Sequence, residues 1–142
     1  MSKGDQWEND ILKLLFNATP IANIADNAAS SPLTNLYVSL HTADPGETGS
    51  QTTSETAYGS YARQPVARTS GGWTVTNNSV SPAANVDFPQ CTSSTATITH
   101  FEVGSLVSGT GKLLYSGTVS PNISVSTGVI PRLTTASAIT ED

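Results

Sequence analysis

The stretch Leu36-Tyr37-Val38-Ser39-Leu40-His41-Thr42-Ala43-Asp44-Pro45-Gly46 decides the fold class of this chain. Leu36, Val38 and Leu40 alternate with Tyr37, Ser39 and His41, the period-two pattern of a strand with one face in a core. Asp44-Pro45-Gly46 ends it, because proline fixes φ and removes a donor while glycine accepts positive φ. From Glu47 to Ser60 nearly every residue is Ser, Thr, Gly, Gln, Glu or Ala, which predicts an exposed loop over 47–60, too long for a hairpin turn. Gly59-Ser60-Tyr61-Ala62-Arg63-Gln64-Pro65-Val66 then leads into a second strand.

Working outward, strand-like runs recur over Tyr61–Arg68, Trp73–Asn77, Ala84–Phe88, Ala96–Val103, Lys112–Val119, Ile123–Val125 and Leu133–Ile139, most of them separated by Gly, Pro, Asn or Ser. No helical stretch lies between them, which favours a β-sandwich or barrel over an α/β fold, and the expected fold is an all-β antiparallel sandwich of jelly-roll-like type. One amphipathic helix is predicted near the start, over Asp5–Phe16, with Trp7, Ile11, Leu14 and Leu15 at helical spacing. Asp5 and Glu8 have the spacing of a capping box, and Asn17 is a stop. The predicted organisation is one domain over 1–142: a helical arm (1–17), a connector (18–35) that could strap onto a neighbour, and a β-sandwich (36–142). On the strand Ala96–Val103, alternation sets Ile98, His100 and Glu102 against Thr97, Thr99, Phe101 and Val103 without saying which face is buried.

Charged residues are only 12% of the 142, while Ser and Thr make up about a quarter, so polarity comes from hydroxyls, as on the outward faces of antiparallel strands. A net charge of −5 and a pI near 4.7 argue against nucleic acid or an anionic membrane as partner, since both are gripped through clustered Lys and Arg. Cys91 is the lone cysteine, which fits a reducing cytoplasm and no disulfide. Met1-Ser2-Lys3 opens without the apolar core of a signal peptide, and no run nears the ~18 apolar residues of a span, so a soluble protein made without export is expected.

Candidate chemistry is thin. His41 and His100 lie far apart in sequence with no Cys or second-His spacing, so neither metal nor cofactor is expected. Cys91 lacks an evident base and orienting group, and no Gly-x-Ser-x-Gly motif or paired acids point to hydrolysis. The glycines of Gly104–Gly111 read as a hairpin connection between strands, not a phosphate cradle, because the P-loop lysine and helix are missing. What remains is binding. Tyr58, Tyr61 and Arg63 are candidate interface anchors, and Trp7, Leu12 and Phe16 serve either intersubunit burial or the chain's own core. Tyr58, Tyr61, Trp73 and Asn77 are the residues on which carbohydrate recognition could be built.

The order Leu-Tyr-Val-x-Leu-His-Thr-x-x-Pro at Leu36–Pro45, the segment Gly59–Val66 with its Tyr-Ala-Arg-Gln-x-Val, the strand Thr99-His100-Phe101 and the Gly-x-Leu-Leu-x-x-Gly hairpin at Gly111–Gly117 together resemble small bacteriophage virion proteins. Val103-Gly104-Ser105 departs from that pattern, where an apolar residue and a Trp-Asp-type turn are expected. The resemblance implies a non-enzymatic structural role with no catalytic residues. Two locations follow from it. One is a head decoration or cement protein on the outer surface of the head, bound to the major capsid protein and to copies of itself. The other is a tail or tail-fibre component that binds a tail protein or a host-surface glycan.

Overall fold

A computed structural model describes residues 3–21, 24–25 and 32–141. The chain is antiparallel β with one short helix, as the alternation predicts. Its elements are α1 (Asp5–Asn17), β1 (Asn35–His41), β2 (Gln64–Ala67), β3 (Trp73–Thr76), β4 (Ser79–Pro82), β5 (Val86–Asp87), β6 (Ala96–Gly104), β7 (Leu113–Val125), β8 (Arg132–Leu133) and β9 (Ile139–Thr140). They form sheets ordered β2-β1-β6-β7, β3-β4-β9 and β5-β8. Two compact units are assembled from interleaved segments: the first from 1–35, 66–85 and 134–142, the second from 36–65 and 86–133.

In the first unit α1 packs on β3 and β4. Leu12 and Phe16 are fully buried, and the Phe16 ring meets Trp73 edge-on at 4.8 Å. The helix therefore buries the line Glu8, Leu12 and Phe16, one side chain per turn at i and i+4, and not the predicted stripe of Trp7, Ile11, Leu14 and Leu15. The helix is apolar on more than one side, so periodicity alone does not choose the packed face; Trp73 does. The capping box does not form either. Gly4 is the N-cap and has no side chain to offer, Asp5 is the first helical residue, and Glu8 turns under the helix. At the other end Ala18 adopts the left-handed conformation, and Arg68 donates from Nε to the Leu15 carbonyl at 2.7 Å and from Nη2 to the Leu14 carbonyl at 2.9 Å. A cation thus meets carbonyls that no helical N–H reaches.

In the second unit β1 and β6 pair antiparallel with Val38 opposite Val103, Leu40 opposite Phe101 and Ser39 opposite Glu102. Directly opposed residues share a face, so Val38, Leu40, Phe101 and Val103 line one side and Ser39, His41 and Glu102 the other. Both sides are buried here, which answers the ambiguity left by alternation along β6. The predicted strands Lys112–Val119 and Ile123–Val125 are one strand, β7, whose register against β6 shifts between Ile98 and His100. Pro121 sits in that irregular part, on an edge strand where its missing N–H costs no ladder bond.

Three further boundaries differ from the sequence reading. Ser79–Pro82, with Val80 its only large apolar residue, carries too little pattern to be read as a strand, yet it pairs with β3 from Thr76 opposite Ser79 to Trp73 opposite Pro82. Leu133–Ile139 is not one strand, because a turn in which the Ser137 N–H donates to the Thr134 carbonyl at 2.9 Å parts β8 from β9. Ala84–Phe88 contributes only the two residues of β5. Residues 22–23 and 26–31 of the connector 18–35, with its proposed reach onto a neighbour, lie outside the described residues.

Candidate attachment tip and its buried polar support

The segment 47–60 is not exposed throughout. Thr42 N–H donates to the Ser54 carbonyl and Thr56 N–H to the Leu40 carbonyl, both at 2.9 Å, so the returning chain is stitched to the end of β1. Gln51 and Thr56 are buried. Composition predicts a solvated loop because these side chains are polar; the second unit instead encloses them, bonding Gln51 to Leu106 and leaving the Thr56 hydroxyl without a partner among the described residues.

Glu55, delivered by that return, faces Arg63. The guanidinium grips it with both arms, Nε to Oε1 and Nη2 to Oε2, each at 2.7 Å. Tyr61 adds its hydroxyl to Glu55 Oε1 at 2.9 Å and accepts the Leu40 N–H at 3.1 Å. Burial is the largest influence on the Tyr61 phenol and pushes it well above its ordinary range, keeping it a neutral donor. The hydrogen bond to Glu55 holds the Arg63 guanidinium charged, pushing its pKa further up.

Arg63 has donors to spare, and they reach the connection between β6 and β7. Nη1 donates to the Leu106 carbonyl at 3.0 Å and Nη2 to the Gly109 carbonyl at 2.9 Å. Gln51 completes the support: its Oε1 accepts the Leu106 N–H at 2.8 Å and its Nε2 donates to the Leu106 carbonyl at 3.3 Å. Above these contacts Leu106 and Val107 are 45% and 59% exposed. Two apolar side chains thus stand in solvent on a backbone fixed from beneath by buried polar groups, a cheap arrangement for docking because little is left to order on binding.

Glycine makes the support possible. A β-carbon at Gly104 would stand 2.1 Å from Gln51 Cδ, and one at Gly111 only 1.8 Å from Gln51 Oε1. Gly111→Ala is expected to cost about 1–3 kcal/mol by forcing Gln51 out of its slot, while Gly109→Ala, at φ +77 with open space around it, acts only through backbone strain. Urea denaturation of the two variants separates these effects; an unchanged midpoint for Gly111→Ala would refute the slot.

Beneath the ion pair lies a second pair. His41 Nδ1 lies 2.8 Å from the Thr53 carbonyl, which can only accept, so Nδ1 carries the hydrogen and Nε2 accepts the Ser39 hydroxyl at 2.9 Å. Glu102 Oε2 is 3.2 Å from the same Nε2, and neither of its oxygens makes a directed hydrogen bond. Burial accordingly pushes Glu102 up to about 7, against the pull of Arg63 and with the push of Glu55. The His41 imidazole is held below its usual range, again by burial first. A serine, a histidine and an acid in contact suggest nucleophilic chemistry, but this trio cannot perform it. All three are 0% exposed, and the acid meets the nitrogen that a serine base would need, not the opposite one.

Each residue singled out from the sequence now has a place. Tyr58 is buried with its hydroxyl on the Pro89 carbonyl at 3.0 Å and its phenol pushed up to about 12 by burial. Arg63 is buried too, and binds the Leu106 and Gly109 carbonyls of the tip. Tyr61 stacks on Phe88 at 6.3 Å and packs edge-on against Tyr58 at 5.3 Å. Leu12 and Phe16 are core; among the three helical candidates only Trp7 stays accessible. Trp73 is buried and cannot stack on a sugar, and Cys91 is buried. Gly104–Gly111 is the expected hairpin connection, but its Leu106 and Val107 escaped the sequence reading. Two exposed apolar residues between serines and glycines were the available signal.

No curated protein matches the chain. The segments Leu36–Pro45, Gly59–Val66 and Thr99–Phe101 supply or flank His41, Arg63 and Glu102 in the interior of the second unit. Over residues 4–140 the chain matches the family described as podophage GP4 fiber I protein gp80, and it belongs to that family of phage virion structural proteins.

Proposed function

We propose that the protein is a fibre component of a podophage virion and attaches to another fibre or tail protein of the particle through the Leu106–Val107 tip. Family membership over nearly the whole chain carries this reading and favours the fibre over decoration of the head. The tip supports it in physical terms: an apolar pair backed by Arg63 and Gln51 buries its surface on a partner without first having to fold.

Particles assembled with Leu106→Ser and Val107→Ser are expected to carry about tenfold fewer copies or less, because roughly 1.5–3 kcal/mol accompanies burial of each such side chain. The isolated variant should unfold within about 0.5 kcal/mol of the parent, since both residues are exposed. Copy number is read by quantitative mass spectrometry of purified particles, with tailless heads and isolated tails run in parallel. Copies found on tailless heads and absent from tails would overturn the fibre reading in favour of head decoration.

A further inference from the structure

Buried polar groups hold the tip, and one acid among them makes no directed hydrogen bond. Glu102 is 0% exposed, and both of its carboxyl oxygens are enclosed without a hydrogen-bond partner among the described residues, although Oε2 lies 3.2 Å from His41 Nε2. A carboxyl so enclosed is tolerated with its proton and costly without it. What surrounds it decides what loss of that proton disturbs. From β1 come His41 and the Ser39 hydroxyl, Ser39 standing directly opposite Glu102 in the ladder. From the returning segment come Glu55 and Arg63, whose charges act on Glu102, and Tyr61, bonded to Glu55. β6 itself adds His100, with Nδ1 on Thr99 Oγ1 at 2.9 Å, and β7 sets Ser116 and Thr118 opposite Glu102 and His100, neither of them ionisable.

Two routes of hydrogen bonds lead from these neighbours to the tip. In the first, His41 Nδ1 donates to the Thr53 carbonyl, and Thr53 belongs to a turn closed by its own N–H on the Ser50 carbonyl at 2.9 Å and by its hydroxyl, which accepts the Ser50 N–H at 3.0 Å. Gln51, which grips both backbone groups of Leu106, sits on the same turn. In the second, Arg63 joins Glu55 to the Leu106 and Gly109 carbonyls. We propose that Glu102 is a proton latch for the tip: with its proton it leaves both supports in place, and when the proton passes to solvent the carboxylate takes the Ser39 hydroxyl from His41 and an Arg63 N–H from the tip carbonyls, so that residues 105–111 loosen. The guanidinium then serves two carboxylates, and neutral carbonyls are the weaker claimants on its donors. Its meaning for attachment rests on the reading of this connection as the attachment tip; the latch itself is a property of the isolated chain.

Burial places the Glu102 carboxyl at about 7, so the latch is closed below that pH and open above it. The test is amide hydrogen exchange of the full chain on both sides of this value, normalised to the intrinsic rate at each pH, with the ¹³C shift of the Glu102 carboxyl followed in parallel. Protection over residues 105–111 should fall roughly tenfold or more as the carboxyl titrates, while protection of β3 and β4 in the first unit stays constant. Glu102→Gln keeps the shape and never ionises, so its tip should stay protected throughout. Tip protection that is equal on both sides of the titration, a fall of the same size in Glu102→Gln, or a fall shared by β3 and β4 would each overturn the latch. So would a carboxyl that titrates at its ordinary 4.5 in the parent, whatever the variant does. None of these outcomes concerns copy number in the particle, on which the fibre reading and its tip stand or fall separately.

Discussion

Arg63→Ala should destabilise the protein by about 3–5 kcal/mol, the range for removing one partner of a buried ion pair. The guanidinium is the meeting point of two segments. It neutralises Glu55 through two 2.7 Å bonds and fixes the Leu106 and Gly109 carbonyls. Its deletion leaves a carboxylate with 15% of its side chain exposed and only Tyr61 to hold it, the Gly109 carbonyl without its donor and the Leu106 carbonyl with Gln51 alone. For a chain of this length the loss corresponds to a fall in melting temperature of roughly 10–20 °C. Arg63→Lys keeps the charge but cannot fork onto a carboxylate and span two carbonyls, so it should recover less than half of the loss. Amide hydrogen exchange should locate the damage, with protection lost first over residues 105–112. A variant within about 0.5 kcal/mol of the parent, or one whose tip exchanges no faster, would show that the pair contributes no net stability and does not hold the tip.

The same residues show how far sequence reading reaches. Alternation at Leu36, Val38 and Leu40 identified a strand with an apolar face, because hydrophobic period is a local property and β1 expresses it locally. It could not disclose that Ser39, His41 and Glu102 form a second buried face. Polar side chains read as solvated until a partner from a distant segment satisfies them, and Thr53, Glu55 and Arg63 all arrive through the polar run of 47–60 and its continuation. For the same reason Arg63 is legible as an anchor while its partners within the chain are not. Its partners are backbone carbonyls more than 40 residues away. In α1 the existence of the helix was legible, while its packed face was not, since Leu12 and Phe16 are selected by Trp73 from among several apolar positions.

The second large effect is a pH dependence hidden in the parent and exposed by single substitutions. The unfolded chain titrates His41 near 6.5 and Glu102 near 4.5, whereas in the fold burial lowers the first and raises the second to about 7. Glu102, raised, contributes stability that is fully present below pH 4.5 and lost as pH climbs to about 7. His41, lowered, contributes stability present above pH 6.5 and lost as pH falls. Between 4.5 and 6.5 the unfolded chain therefore holds one proton on His41 and the folded protein holds one on Glu102, so the pair adds almost no slope. The other ionisable groups acting on the two are Arg63, Glu55 and His100. Arg63 and Glu55 form their own tight pair. Glu102→Gln leaves the histidine alone, and its stability should fall as the solution is acidified below 6.5. His41→Asn leaves the acid alone, and its stability should fall in the opposite direction, by about 3 kcal/mol between pH 4.5 and 7. Urea midpoints taken across pH 4 to 8 for the three proteins decide the matter. Slopes of the same sign in both variants would mean that the proton does not reside on Glu102, and that the contact of 3.2 Å is a charged imidazolium-carboxylate pair.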